Sequence, residues 1–119
     1  MKPRYLLDEH VNPAIQRQLR RLIRELDARC VSDGDAPPKG TRDDDLLAWA
    51  NANEFILITE DRRTMPGAIA RRSELGEYTF GVFFIRPGAC IGAVIEALEL
   101  IWHTSAHNEF IDSALFIPL

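Results

Sequence analysis

Cysteine is scarce. Only Cys30 and Cys90 occur, with neither a Cys-x-x-Cys pair nor Cys/His ligand spacing, which excludes a disulfide-dense scaffold and a zinc-ribbon type of site. Both are expected to be reduced core thiols. Long apolar runs are also missing: the longest, Ala89 to Trp102, is interrupted by Glu96 and Glu99 and is shorter than the roughly 20 residues a membrane helix needs. The opening MKPRYLLDEHV meets two acids after a short apolar piece and does not read as a signal peptide, so a cytoplasmic protein is expected. Excess positive charge is absent too. With 14 Lys and Arg against 18 Asp and Glu the formal charge is -4, which argues against a binder that works by bulk positive charge.

What is present is the composition of one ordinary globular domain, expected to span residues 1–119: 46% apolar and 27% charged residues in a chain long enough to bury a core without metal or disulfide. Tyr5 to Leu7 is a short apolar run ending at Asp8 and Glu9, as a buried parallel strand does at its mouth. Asn12-Pro13 supplies an N-cap and a first-turn proline for a helix. Its apolar face is Ile15, Leu19, Leu22 and Leu26; Arg17, Arg20, Arg21 and Arg24 form a basic face. Arg29 to Val31 reads as a brief strand and Asp33 to Arg42 as a Gly/Pro/Asp-rich loop, the one candidate lid. Thr41 or Asp43 is expected to cap a helix through Leu46, Leu47, Trp49 and Ala50, followed by the strand Phe55 to Ile58 and a second acidic ending, Thr59-Glu60-Asp61. A Pro66-Gly67 break, a helix over Ala68 to Leu75, the strand Phe80 to Ile85, a helix with Ile91, Val94, Ile95, Leu98, Ile101 and Trp102 on one face, and a terminal edge strand Ser113 to Ile117 complete the order. The fold class is α/β: a three-layer sandwich with a mainly parallel sheet of four to five strands.

In open parallel sheets, ligands bind beyond the carboxyl ends of the strands, where strand order reverses. If the first and third strands are neighbours, Asp8, Glu9 and Asp61 converge there, and Asp43 at a nearby helix start joins them. Like-charged carboxylates repel, so such a group calls for a cation. Mg²⁺ or Mn²⁺ suits all-oxygen ligands and bridges carboxylates to substrate phosphates, which makes phosphodiester hydrolysis the candidate reaction. Each acid also has an ordinary explanation: Asp8 and Asp61 as strand-exit turn residues, Asp43 as a helix N-terminal acid. His10 is expected to be a hydrogen-bonded structural residue, and Trp49 and Trp102 to pack rather than stack on bases.

The segments LLDEHVNPAI, DDDLLAWANANEFILITED and FGVFFIRPG resemble the short bacterial PIN-like proteins, compact relatives of the PIN ribonuclease domains that act as toxins of toxin–antitoxin pairs. The resemblance rests on Asp8, Glu9, Asn12 and Pro13; on Asp43, Leu46, Leu47 and Ala50; and on Thr59 and Asp61. It implies a Mg²⁺- or Mn²⁺-dependent endoribonuclease with Asp8, Asp43 and Asp61 as metal-binding carboxylates, a small antitoxin partner and a homodimer. Glu9 is then expected to orient the attacking water. Where such families often show Asp-x-Asp-Phe, this chain has Asp61-Arg62-Arg63-Thr64, and His10 stands where Asn is frequent.

Two other readings stay open at this point. One is a PIN-like module that binds without turnover. The other is a receiver-type phosphoacceptor, which shares the acid pair and the third-strand Asp but needs a late lysine, whereas the last lysine here is Lys39. All 14 Lys and Arg lie at or before Arg86, so RNA contact is expected from Arg17, Arg20, Arg21 and Arg24, with Arg62, Arg63, Arg71 and Arg72. The row on the first helix reads equally as a solvated face. The apolar last helix is expected to offer a dimer seam.

Overall fold

A computed structural model describing residues 1–119 gives the order β1 (Tyr5–Leu7), α1 (Ala14–Leu22), β2 (Ala28–Cys30), α2 (Asp43–Ala52), β3 (Ile56–Thr59), α3 (Met65–Glu74), β4 (Val82–Ile85), α4 (Ile91–Thr104) and β5 (Ala114–Ile117). The five strands form one sheet in the order β2-β1-β3-β4-β5, and every pairing is parallel. The order reverses between β1 and β3, which are hydrogen-bonded neighbours, the condition on which the convergence of Asp8 and Asp61 depends.

Alternation along the strands sorts the core into two layers. Tyr5 and Leu7, Ile56 and Ile58, Phe83 and Ile85 pack with Ile15 and Leu19 of α1 and with Val94 and Leu98 of α4. Leu6, Leu57, Val82 and Phe84 pack on the other face with Leu46, Leu47 and Ala50 of α2 and with Met65 and Ala68 of α3. Period-2 geometry then continues past the strand ends: Asp8, two residues after Leu6, and Thr59, two after Leu57, belong to the α2/α3 face.

Local chemistry moved several boundaries. On α1 the buried partner of Ile15 and Leu19 is Ile23, while Leu22 is exposed and Leu26 is buried beyond the helix end. The helix ends at Leu22, so Leu26 is buried from the connection to β2 rather than from a helical face. Asn12 accepts from the amide of Ala14 at 2.9 Å, but the flanking residue of the helix is Pro13. α2 has Arg42 at its N-cap with no side-chain cap; Asp43, Asp44 and Asp45 instead occupy its first turn, where the helix dipole favours them. The Pro66-Gly67 pair does not break α3 but lies in its first turn, where the missing proline N–H has no helical partner to lose. Trp49 stacks on Phe55 with ring centres 5.4 Å apart, and Trp102 is buried, so both pack. Cys30 is half-buried and Cys90 exposed, so neither is a core thiol; both are free. α4 spends Val94, Ile95, Leu98, Ile101 and Trp102 on its own core and leaves only Ile91 and Leu100 outward among its large apolar side chains.

The 33–42 segment is fastened rather than loose. Asp33 accepts from the Cys30 amide at 2.9 Å and from Gln16 Nε2 at 2.8 Å, Ser32 donates its amide to the Pro37 carbonyl at 2.8 Å, and Ala36 is buried. The Cys30 amide does most to hold the Asp33 carboxyl below its ordinary range, burial opposes it, and Gln16 and Arg20 add to the lowering.

Two outcomes follow. Asp33 stabilises the fold above the ordinary carboxylate pKa of about 4 and loses this as pH falls through its depressed folded value. Urea unfolding of Asp33→Asn should therefore show a flatter loss of stability between neutral and strongly acid pH than the parent. Gly81 has φ +123°, and a Cβ there would stand 3.0 Å from the Phe110 carbonyl oxygen and Cβ. Gly81→Ala should lower the unfolding free energy by about 1–3 kcal/mol in the same assay.

Candidate functional site

The β1–β3 register pairs Leu7 with Ile58, so the next step sets Asp8 level with Thr59. The ladder runs on through the Asp8 amide, which donates to the Ile58 carbonyl at 2.9 Å. Thr59 is fully buried, and its hydroxyl joins two strand exits: it donates to Asp8 Oδ2 at 2.8 Å and accepts from the Asp61 amide at 3.0 Å. Asp8 Oδ1 takes the Glu9 amide at 2.8 Å.

Asp61 heads a tight turn into α3. Its Oδ1 accepts the amides of Arg63 and Thr64 at 3.0 and 2.9 Å, and its Oδ2 meets the Thr64 hydroxyl in a very short hydrogen bond. Burial pushes the Asp61 carboxyl up, but the Thr64 hydroxyl and the Thr64 and Arg63 amides outweigh it, with a smaller contribution from the Arg63 charge. The net position is below the usual carboxylate range. The same Thr64 hydroxyl lies 2.6 Å from Asp43 Oδ2, at the start of α2. One hydroxyl carries one proton and can satisfy only one of these two oxygens, so the pair is short of positive charge.

Asp8, His10, Thr59, Glu60 and Asp61 line a cavity of about 230 Å³ with no apolar side chain in its wall. A larger hollow of about 530 Å³, walled mainly by apolar residues of α4 and by Pro118 and Leu119, lies apart from these acids. None of the ion pairs in the molecule involves Asp8, Glu9, Asp43, Glu60 or Asp61. By contrast Arg71 is bound to Asp44 at 2.7 Å, and Arg72 donates to the Tyr78 carbonyl at 2.9 Å; neither of these two expected phosphate contacts is free.

The structure thus gathers the three aspartates in two overlapping pairs, Asp8 with Asp61 around one cavity and Asp43 with Asp61 around one hydroxyl. No group of three or more His, Cys, Asp or Glu side chains is placed to hold a metal ion as it stands. Thr59 and Thr64 take up carboxylate oxygens of Asp8, Asp43 and Asp61. The donor chemistry still fits a hard divalent cation, since it is all oxygen, and Mg²⁺ is commonly held by one or two carboxylates with water completing its shell. Glu9 is turned partly away, its Oε1 accepting the Gly40 amide at 2.9 Å.

Arg62 and Arg63 are exposed beside the cavity. Arg17, Arg20, Arg21 and Arg24 are exposed as well, but α1 returns toward the amino ends of the strands, so their row leads away from the acids. Sequence reasoning missed three side chains. His10 is exposed on the cavity wall rather than structurally bonded, and Thr64 carries no signal in the sequence because only the α2–α3 packing brings it to Asp43. Thr59 was noted as part of a motif, but its bridging role needs the strand register.

Neither a curated protein nor a solved structure shows a match to the chain. A family model described as "PIN like domain" matches residues 3–86, which contain the exits of β1 and β3 and the starts of α2 and α3 that carry these acids. On that match, over most of its length, the chain belongs to the PIN-like domain family.

Proposed function

We propose that the protein is a Mg²⁺- or Mn²⁺-dependent endoribonuclease in which Asp8, Asp43 and Asp61 hold the ion. The observation that carries this reading is the hydrogen-bonded chain Asp8–Thr59–Asp61–Thr64–Asp43, which collects three carboxylates with no basic partner at the carboxyl edge of β1 and β3. When bound, the ion supplies charge stabilisation at a phosphoryl oxygen and a water acidic enough to yield hydroxide near neutral pH. The chain's own groups set the geometry. Thr59 fixes the Asp8 carboxylate, the Arg63 and Thr64 amides fix that of Asp61, and Asp61 is kept ionised at neutral pH. Glu9, with one oxygen tied to Gly40, keeps the other for orienting a water. Arg62 and Arg63 meet the strand near the cavity, and Arg17, Arg20, Arg21 and Arg24 hold phosphates further along it.

The wider role we assign is the toxin of a toxin–antitoxin pair, a single domain acting in the cytoplasm with a small antitoxin as partner. No helix is long and apolar enough to cross a membrane. We further assign a homodimer, supported by Leu100 and Leu119, 62% and 87% exposed, beside the hollow on α4.

Calorimetric titration with Mn²⁺ and cleavage of mixed-sequence RNA should both give signals that vanish in Asp8→Asn and Asp61→Asn. Removing the shared hydroxyl in Thr64→Val should weaken metal affinity or activity by about 10–100-fold, as expected for a group that orients ligands. Cleavage unchanged by all three substitutions would refute the assignment of this site. Binding of Mn²⁺ and RNA without turnover would leave a binding module, and an acid-labile phosphoryl adduct on Asp61 would replace the nuclease with a phosphoacceptor. Sedimentation of Leu100→Glu should show a monomer where the parent shows a dimer.

A further inference from the structure

A second cavity shares a wall with the acidic one. It measures about 210 Å³ and is lined by Glu60, Arg62, Arg86, Ile85 and the 87–89 turn, at the carboxyl ends of β3 and β4. Glu60 lines both cavities, the first with Asp8 and Asp61 and the second with Arg62 and Arg86.

The chemistry of this hollow points to an anion. Arg86 is anchored from the next strand: its Nε donates to the Pro118 carbonyl at 2.7 Å, and its guanidinium lies 5.5 Å from the centre of the Phe116 ring. Of the five N–H donors of an arginine, that bond uses one and leaves the terminal fork open. Arg62 is exposed and enters no ion pair. Two arginines lining one small space, each with an open fork, suit a phosphate, which a guanidinium can bind with paired hydrogen bonds. The volume is below the roughly 300–1,000 Å³ of sites that enclose a whole small-molecule ligand, and no aromatic side chain lines it for a base to stack on. A group of the strand fits there, not a base or a free nucleotide.

Resting on the nuclease reading above, we propose that the Arg62–Arg86 cavity is a second phosphate subsite. It takes a backbone phosphate of single-stranded RNA close along the strand to the one that an ion held by Asp8 and Asp61 would engage. The bound strand therefore crosses the sheet edge from β1 over β3 to β4, and the subsite contributes affinity without choosing among bases.

The test is fluorescence anisotropy of a labelled single-stranded oligoribonucleotide in EDTA, where cleavage is suppressed, over 50–200 mM salt. Wild type is compared with Arg62→Gln and with Arg62→Gln/Arg86→Gln. Neutralising one phosphate contact on a single strand lowers the log–log salt slope by about 0.7, so the double variant should lose about that much and bind more weakly on every sequence tried. Arg62→Gln alone, at an exposed side chain, guards against a folding defect from releasing Pro118 and should show part of the loss. Mn²⁺ affinity should not fall in either variant, since neither arginine is paired with an aspartate and removing positive charge does not disfavour a cation. A salt slope equal to that of wild type in both variants overturns the subsite while leaving the nuclease reading standing. A loss confined to oligonucleotides carrying a terminal phosphate overturns the internal-phosphate assignment in favour of end recognition. Absence of RNA binding by wild type at any salt overturns the subsite. Absence of Mn²⁺ binding and cleavage as well overturns the reading beneath it.

Discussion

A buried hydroxyl between two strand exits governs the arrangement of the acidic edge. Thr59 has no exposure, so its oxygen and proton must both be satisfied inside the protein. It meets that demand by donating to Asp8 and accepting from Asp61, and in doing so converts two independent strand ends into one rigid unit. The demand follows from the parallel sheet: with both faces covered by helices, neither offers a site, and polar chemistry is confined to the edge.

Much of this was legible in the sequence. The order of strands and helices follows from short apolar runs and from Pro, Gly and Asp punctuation, whereas the adjacency of β1 and β3 is a condition that only the strand pairing supplies. The acids at 8 and 61 stood out because each follows an apolar run. Less visible were features set by three-dimensional packing. α1 stops at Leu22, one turn before its apolar period does, because the chain must turn back toward β2. α2 begins without a side-chain cap, so a capping rule put its start on the wrong residues. Thr64 gained its place only when α3 packed on α2, which no spacing along the chain encodes.

The electrostatic character of the edge is equally a product of what is left unpaired. Asp44 has Arg71, and Asp27 has Arg4 and Arg29, whereas the acids around the cavity have hydroxyls and amides for partners. Amides and hydroxyls orient a carboxylate while leaving its charge uncancelled, so the negative potential stays available to a cation or a substrate-bound metal. The basic groups at the border are Arg62 and Arg86, at the β3 and β4 exits, a distribution that attracts a polyanion without quenching the centre.

Glu9 carries two duties at once. The amide of Gly40 seats on its Oε1, so the exit of β1 and the segment that follows β2 share one latch. A residue without a side-chain acceptor at this position would loosen the Gly40 end of the 33–42 chain as well as delete a charge. Loss of activity in such a variant would thus mix a mobility effect with a chemical one, and the two would separate only if the loop's amide-exchange rates were followed alongside turnover.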